Sequence, residues 1–385
     1  SAVEDNPKRL LQEAPNQFYY PDKDAVVWKE EQVFDYTNKN HQKRYYCAIK
    51  IFNKQGAKDY SQVEINYHPQ RQQIKDLKAK VVKPSGEIVK VNQNQIKEKA
   101  ISYTPNSNKY QSNYKKTINF PTVTAGSILI YSYQKEITKP LIAKEIQEVI
   151  KVNSHQSKVI LKVPQKQKIY TEFKPRDQLA KPDINRENKT KIYTWNGYKA
   201  QGKLLISSFK SWQQFSEWYQ NLMPQQDPLN KKLKEQLRNL TRGLVTKEAK
   251  IRELYNYVTT EIEYIDHQLG VNGYRPLSVN QIYQQKYAVA KDKVYFLISL
   301  LEEIDVKAAP VLLNSRSNFD SSTAAAQFNH LLVYIPEQNL YLGPVSGFIR
   351  YGNLSLRSQG KKTLNLATAQ ITQTPILAKK TNQEQ

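Results

Sequence analysis

The spacing of hydrophobic residues changes near the middle of the chain, and this change constrains the fold more than any other feature. Between residues 25 and 134 apolar side chains alternate with polar ones, as at Leu77, Ala79 and Val81. Such alternation is typical of strands with one buried face. From Leu229 onward apolar residues recur every three or four positions, which predicts amphipathic helices. The sequence therefore predicts a β-rich first half followed by a region that contains both helices and strands.

Three helical stripes of this kind follow one another in the second half. The first contains Leu229, Leu233, Leu237, Leu240 and Leu244. The second begins after Thr246 and contains Ile251, Leu254, Tyr255, Val258, Ile262 and Ile265. The third contains Val294, Leu297, Ile298 and Leu301. Apolar residues at this spacing form the core-facing side of a helix, so these stripes predict core residues and not cofactor pockets.

The length and composition of the chain predict more than one domain. At 385 residues, of which 39% are hydrophobic, the chain exceeds one ordinary core. We expect an N-terminal extension over 1–17, a β-rich domain over 18–205, a second domain over 206–360 and a C-terminal tail over 361–385. No run approaches the roughly 20 apolar residues of a membrane-spanning helix.

A short segment directly before the third stripe carries the strongest functional signal. Residues Tyr287 to Lys293 read Tyr-Ala-Val-Ala-Lys-Asp-Lys. This segment resembles a motif that transglutaminase-like proteins usually write as Tyr-Gly-Asp-Cys-Lys-Asp-Lys, where the cysteine is the nucleophile. Ala290 occupies the position of that cysteine. A thiol at a helix N-terminus is activated by the helix dipole and a nearby histidine, whereas alanine has no atom that could attack.

The remaining members of the family's catalytic triad are only partly present. His330 precedes an apolar strand and resembles the family's catalytic histidine. After a turn at Glu337-Gln338, Gly343 stands where the family typically has an aspartate. If that turn has two residues, Gly343 pairs with Leu332, on the same face as His330. A carboxylate there could orient the imidazole, and glycine cannot.

The single cysteine does not replace the missing nucleophile. Cys47 lies in an alternating β-type run from Tyr45 to Phe52, in the other half of the chain. A lone cysteine in a strand behaves as a small buried hydrophobe, and we expect this of Cys47.

The resemblance extends over most of the chain. Gly273-Tyr274-Arg275-Pro276 is similar to a loop of the family, Ser208 to Trp212 is similar to its entry segment, and Asp305 stands where the family often has a helix-ending glycine, a conformation that aspartate can adopt. The match is to bacterial two-domain proteins with a β-rich domain of unknown function before the transglutaminase-like domain. It implies an α+β protein, with an N-terminal antiparallel β-sandwich-like domain followed by a papain-like, transglutaminase-like α+β domain.

Two explanations exist for the absent cysteine. Either an investigator replaced it, or the lineage lost it. A deliberate replacement changes one residue, but this chain departs from the family at Ala288, Val289, Ala290 and Gly343. Natural loss is therefore the better explanation.

The charge and the histidines restrict the possible ligands. A formal charge of +23 predicts attraction to anionic surfaces, yet the basic residues are scattered and no nucleic-acid-binding motif is present, so we expect no specific nucleic acid. Five histidines, namely His41, His68, His155, His267 and His330, lack the spacing of metal ligands, and no glycine-rich phosphate loop occurs. The sequence predicts no cofactor and no metal.

These observations predict a catalytically inactive transglutaminase-like pseudoenzyme that acts as a binding or scaffold protein. Its vestigial groove, formed by Tyr287, Val289, Ala290 and His330, is the expected site for a peptide or a protein partner. One alternative is an active thiol amidase, peptidase or transglutaminase whose cysteine was replaced. Another is a basic scaffold that binds anionic envelope polymers or lipid surfaces. Met223 is the only methionine, so Ser1 is not a native initiator; a cleaved secretory signal would explain this, and so would a shortened recombinant chain. The resemblance implies a periplasmic or secreted protein whose signal peptide has been removed.

Overall fold

The structure is a computed structural model that describes residues 6–101, 113–138, 144–223, 227–265, 276–345 and 347–376. The chain divides into two compact units with a boundary between Ser208 and Phe209.

The first unit consists mainly of strands. The α-helices among its described residues are α1 (Pro7–Glu13) and α2 (Lys54–Tyr60). Its strands are β1 (Ala25–Asp35), β2 (His41–Ile51), β3 (Gln62–Tyr67), β4 (Gln72–Val82), β5 (Ile88–Lys90), β6 (Ile96–Ile101), β7 (Asn113–Asn119), β8 (Ile128–Ile137), β9 (Gln147–Asn153), β10 (Gln156–Pro164), β11 (Tyr170–Lys174), β12 (Asp183–Glu187), β13 (Thr190–Tyr198) and β14 (Gln201–Ser207).

These strands form three sheets. The largest has eight strands in the order β12-β13-β10-β1-β2-β8-β4-β5, and the others are β11-β14-β9 and β3-β7-β6. The expected purely antiparallel arrangement is wrong at one place, because β1 and β10 pair in parallel, with Lys29 opposite Gln156. These two strands are far apart in sequence and are not joined by a hairpin, so nothing local forces them to run in opposite directions.

The N-terminal residues contribute to the core of this unit. Leu10 on α1 is buried in a cluster with Trp28 of β1 and Ala48 of β2. The segment 1–17, expected to be an extension, therefore includes a helix that packs on the large sheet.

The second unit combines helices with an antiparallel sheet. Its helices are α3 (Trp212–Leu222), α4 (Lys231–Thr241), α5 (Lys247–Glu261), α6 (Val279–Gln285) and α7 (Ala290–Glu302). Its strands are β15 (Glu263–Tyr264), β16 (Tyr287–Ala288), β17 (Ala309–Leu313), β18 (His330–Ile335), β19 (Leu340–Leu342), β20 (Lys362–Asn365) and β21 (Ile371–Gln373).

Helix α7 lies at the centre of this unit. The predicted stripe is confirmed, since Val294 and Leu301 are fully buried in a cluster that also contains Leu331 and Val333 of β18. The helix ends at Glu302, and the turn that follows it includes Asp305, whose φ of 59° is left-handed, as its position predicts. The sheet that α7 covers has the strand order β19-β18-β17-β20-β21.

Two boundaries differ from those expected. The second stripe continues to Ile265, but α5 ends at Glu261. The residues that follow form β15, which pairs in parallel with β16 and so cannot be helical. The segment predicted as the tail 361–385 contains two strands. Strand β20 pairs with β17 and with β21, and it buries Leu364 completely, so residues 362–365 and 371–373 belong to the sheet.

No helix among the described residues is long and apolar enough to cross a bilayer.

Candidate functional site

The start of α7 places Ala290 at the first helical residue. Val289 precedes it as the N-cap and contributes no side-chain hydrogen bond. The residues before Val289 form β16, which pairs with β15, and the Ile265 amide after β15 donates to the Ala288 carbonyl at 3.0 Å. Asp292 in the first turn accepts a hydrogen bond from the Leu277 amide at 3.0 Å. Ala290 itself is half-buried. Its methyl group lies at the helix N-terminus, where the helix dipole would favour the thiolate form of a cysteine.

A buried lysine one turn later anchors this helix start. Lys293 is fully buried, and its Nζ donates to the Ile262 carbonyl at 2.6 Å and to the Val345 carbonyl at 3.1 Å. Burial lowers its pKa to about 8. Lys293 thus joins α7 to the end of α5 and to the segment that follows β19.

The register of the sheet relates that segment to His330. Val333 lies opposite Leu342, and the same register continued places Gly343 opposite Leu332 and Val345 at the level of His330. A Cβ atom built on Gly343 would lie 3.2 Å from Cδ2 of Leu332, which agrees with the continued register. The turn has four residues, 336–339, instead of the predicted two, but the register is the predicted one.

His330 opens β18 and is half-buried. Alternation along the strand places it on the face of Leu332, whereas Leu331 and Val333 face α7. Burial lowers the pKa of its imidazole, which favours the neutral form. None of the described residues forms a hydrogen bond with this imidazole, so it has no orienting carboxylate among them.

The position of Gly343 is held by the backbone. Its carbonyl oxygen is 3.4 Å from the Tyr255 hydroxyl, which donates more closely to the Ile349 carbonyl at 2.7 Å. These contacts of the Tyr255 hydroxyl go to backbone oxygens and involve no side chain at position 343. The three positions of the triad lack two of its functional groups. Ala290 supplies a methyl group and no nucleophile, His330 supplies a neutral imidazole, and Gly343 supplies no carboxylate to orient it.

Two further charged side chains lie buried at the start of α7. Burial lowers the pKa of Lys291 to about 8, and burial also raises the pKa of Asp292. The sequence identifies Lys291, Asp292 and Lys293 as parts of the motif and does not predict their burial. The signal for their burial was their position next to the fully apolar helix face.

Cys47 lies in the first unit, on β2, and is only 1% exposed. Burial raises the pKa of its thiol to about 12, and the Glu30 carboxylate contributes in the same direction. The prediction of a small buried cysteine is confirmed. A thiol in this state carries almost no thiolate at neutral pH and is a poor nucleophile.

Some predicted features fall outside the described residues, namely Gly273, Tyr274, Arg275 and His267. Among the described residues no group of three or more histidine, cysteine or acidic side chains is placed to hold a metal ion.

Comparison with known proteins bears on each unit. Residues 37–200 match a family model described as a domain of unknown function, DUF3857. No curated protein matches the chain in sequence. The crystal structure of a "putative protease" from Parabacteroides distasonis superposes with a TM-score of 0.76 at 13% identity, covering 91% of this chain and 72% of that one. The chain therefore shares the mixed, strand-rich α+β fold of that protein.

Two other solved structures are much weaker matches. A "putative cysteine protease" from Cytophaga hutchinsonii has a TM-score of 0.24 at 10% identity, covering 80% of this chain and 76% of that one. A "putative nutrient binding protein" from Legionella pneumophila has a TM-score of 0.27 at 9% identity, covering 73% and 94%. Likenesses at this level carry no argument about the fold or the function of this chain.

The inert state of Cys47 can be tested with a thiol reagent. We expect no reaction of the native chain with an aromatic disulfide reagent at pH 8, and one equivalent after denaturation, because the thiol is buried and protonated. The variant Ala290→Cys serves as the comparison and should react once in its native state. Labelling of the native unmodified chain would contradict this account of Cys47.

The anchoring role of Lys293 predicts a large effect on stability. Lys293→Met should remove the donor to the buried Ile262 carbonyl and to the partly buried Val345 carbonyl, and lower the free energy of unfolding by about 2 kcal/mol or more. The control is Lys247→Met, which removes an exposed lysine 3.0 Å from Glu337 and should cost below about 1 kcal/mol. Urea unfolding curves measure both, and equal losses would show that Lys293 is no anchor.

Proposed function

We propose that this chain is a catalytically inactive transglutaminase-like protein that binds an extended peptide or a partner's loop at the start of α7. The observation that carries the proposal is the methyl group of Ala290 at the position where the resemblance places a nucleophile. Gly343 removes a second essential group at the place of the aspartate. The sole thiol supports the same conclusion, because Cys47 is buried in the other unit.

The proposed binding groove consists of Tyr287, Val289, Ala290 and His330. All four side chains are half-buried, so each retains surface that a ligand could cover. They combine an aromatic ring and two apolar groups with one neutral imidazole. A mostly apolar lining with few polar groups is typical of sites that bind peptides and other small ligands. In this proposal the protein acts in the bacterial envelope, where its positive charge would also favour anionic polymers or lipid surfaces.

The alternative is an active thiol enzyme from which the cysteine alone was removed. It would act as an amidase, a peptidase or a transglutaminase. Gly343 argues against it, because restoring position 290 would still leave His330 without a carboxylate. In a related triad, loss of that carboxylate's function lowers kcat by roughly 10⁴-fold.

Stepwise restoration of the triad separates these two functions. We expect no turnover of a glutamine-donor peptide, a peptide amide or an aryl ester by the unmodified chain. Ala290→Cys alone should restore little, and Ala290→Cys with Gly343→Asp should restore more, because only the pair supplies both nucleophile and orienting group. The second change is sterically feasible, since the new Cβ would meet only the movable Cδ2 of Leu332 at 3.2 Å.

The control for this series is His330→Ala in the doubly substituted chain, which should abolish the restored rate. The proposal fails if the unmodified chain turns over any of these substrates above the blank and loses that activity with His330→Ala.

Blocking the groove tests the binding function. Peptides selected from a display library of unstructured dodecamers on the unmodified chain should lose at least tenfold in affinity for Ala290→Trp, because the indole would cover the half-buried surface at the start of α7. Ala367→Trp is the matched control, since Ala367 is exposed on the connection between β20 and β21. Equal affinity of both variants, with thermal melting unchanged, would place the peptide elsewhere.

A further inference from the structure

A polar cavity that is open to solvent belongs to the first unit. It has a volume of about 400 Å³, and its walls come from β1, β2 and β8 on one side and from β3 and β9 on the other. Its polar lining includes Glu30, Gln32, Tyr45, Tyr131 and Tyr133. This volume lies within the range of pockets that hold small organic ligands.

The strand register explains why these side chains stand together. Gln32 pairs with Tyr45, and Tyr45 pairs with Tyr133, so the three form one row across β1, β2 and β8. Glu30, Cys47 and Tyr131 form the neighbouring row in the same way. Residues that pair across strands point to the same face of a sheet, and here that face is the cavity wall. The Tyr45 ring lies 5.7 Å from the Tyr131 ring and 5.5 Å from the Tyr133 ring, measured between centroids.

Some hydrogen-bonding groups of the cavity wall are not used by the protein itself. The Tyr45 hydroxyl donates to Glu30 Oε1 at 2.6 Å, and Gln32 Nε2 donates to the Lys151 carbonyl at 3.1 Å. Neither the Tyr133 hydroxyl nor Gln32 Oε1 is engaged by another described residue. Burial raises the pKa of Tyr133 to about 12, so its hydroxyl stays protonated and can donate as well as accept.

The charges around the cavity are already balanced by the protein. Glu148 pairs with Lys43 at 2.5 Å, and Glu64 pairs with Lys115 at 2.7 Å. The Glu30 carboxylate is held by Tyr45 and lies in the field of Lys151. A cationic ligand would have to compete with these lysines, and an anionic ligand would meet three carboxylates. An uncharged ligand meets neither cost.

We propose that this cavity binds a neutral, hydroxyl-rich ligand, namely a saccharide unit. Phenol rings offer apolar faces to the C–H groups of a sugar, and the phenol and amide groups at their ends exchange hydrogen bonds with its hydroxyls. The site is independent of the proposed peptide groove, because every group that forms it belongs to the first unit.

Titration calorimetry with neutral oligosaccharides tests this site on the full chain. The probes are cellotriose, maltotriose and N,N′,N″-triacetylchitotriose, with an N-acetylated and C-amidated neutral tripeptide as the competing class. At least one oligosaccharide should bind, and Tyr133→Phe should weaken it about five- to tenfold, as expected for one lost hydrogen bond. Gln32→Leu should act in the same direction.

The matched control is Tyr198→Phe, which removes the hydroxyl of a tyrosine that is 65% exposed in the same unit and should leave binding unchanged. Tyr133→Phe keeps the packed ring, so its thermal melting should match that of the unmodified chain. The proposal is overturned if none of the three oligosaccharides binds, if only the blocked tripeptide binds, or if Tyr133→Phe and Gln32→Leu bind as tightly as Tyr198→Phe.

Discussion

The ammonium group of Lys293, buried and bound to two backbone carbonyls, is the interaction on which the second unit most depends. It joins the first turn of α7 to Ile262 at the end of α5 and to Val345 after β19. Burying an ammonium group costs several kcal/mol unless polar partners compensate, so these two carbonyls must remain in place for the lysine to be tolerated. Three segments that are distant in sequence are therefore held in one arrangement by a single side chain.

This arrangement separates the shape of the site from its chemistry. The elements around Ala290 are positioned by Lys293, by Asp292 and by the apolar face of α7, none of which is a member of the triad that the resemblance implies. Gly343 is held through its backbone and is not required as a side chain. A cysteine and an aspartate could thus disappear from such a site without loss of the fold, and a binding surface could persist after catalysis had ended.

The sequence predicted the features that depend on local pattern. The apolar spacing around Val294 identified α7, the position of Asp305 identified the left-handed residue in the turn after it, and the turn after β18 set the register of Gly343. Other features depend on contacts that are distant in sequence and leave no local signal. These include the parallel pairing of β1 with β10 and the insertion of β20 beside β17. The helical stripe that ends at Ile265 also failed at its boundary, because pairing between β15 and β16 prevails over helix propensity there.

The cavity of the first unit could not have been read from the sequence for the same reason. Tyr45 and Tyr133 are 88 positions apart, and only the pairing of β2 with β8 makes them neighbours. The net charge of +23, by contrast, is visible at once but acts mainly at the surface, where it attracts anionic polymers with little selectivity. A cavity whose carboxylates are matched by Lys43, Lys115 and Lys151 does not share that preference. Surface charge can therefore bring this protein to an anionic matrix. Selection of a ligand within the first unit must rest on hydrogen bonds and ring contacts, which do not depend on the charge of that matrix.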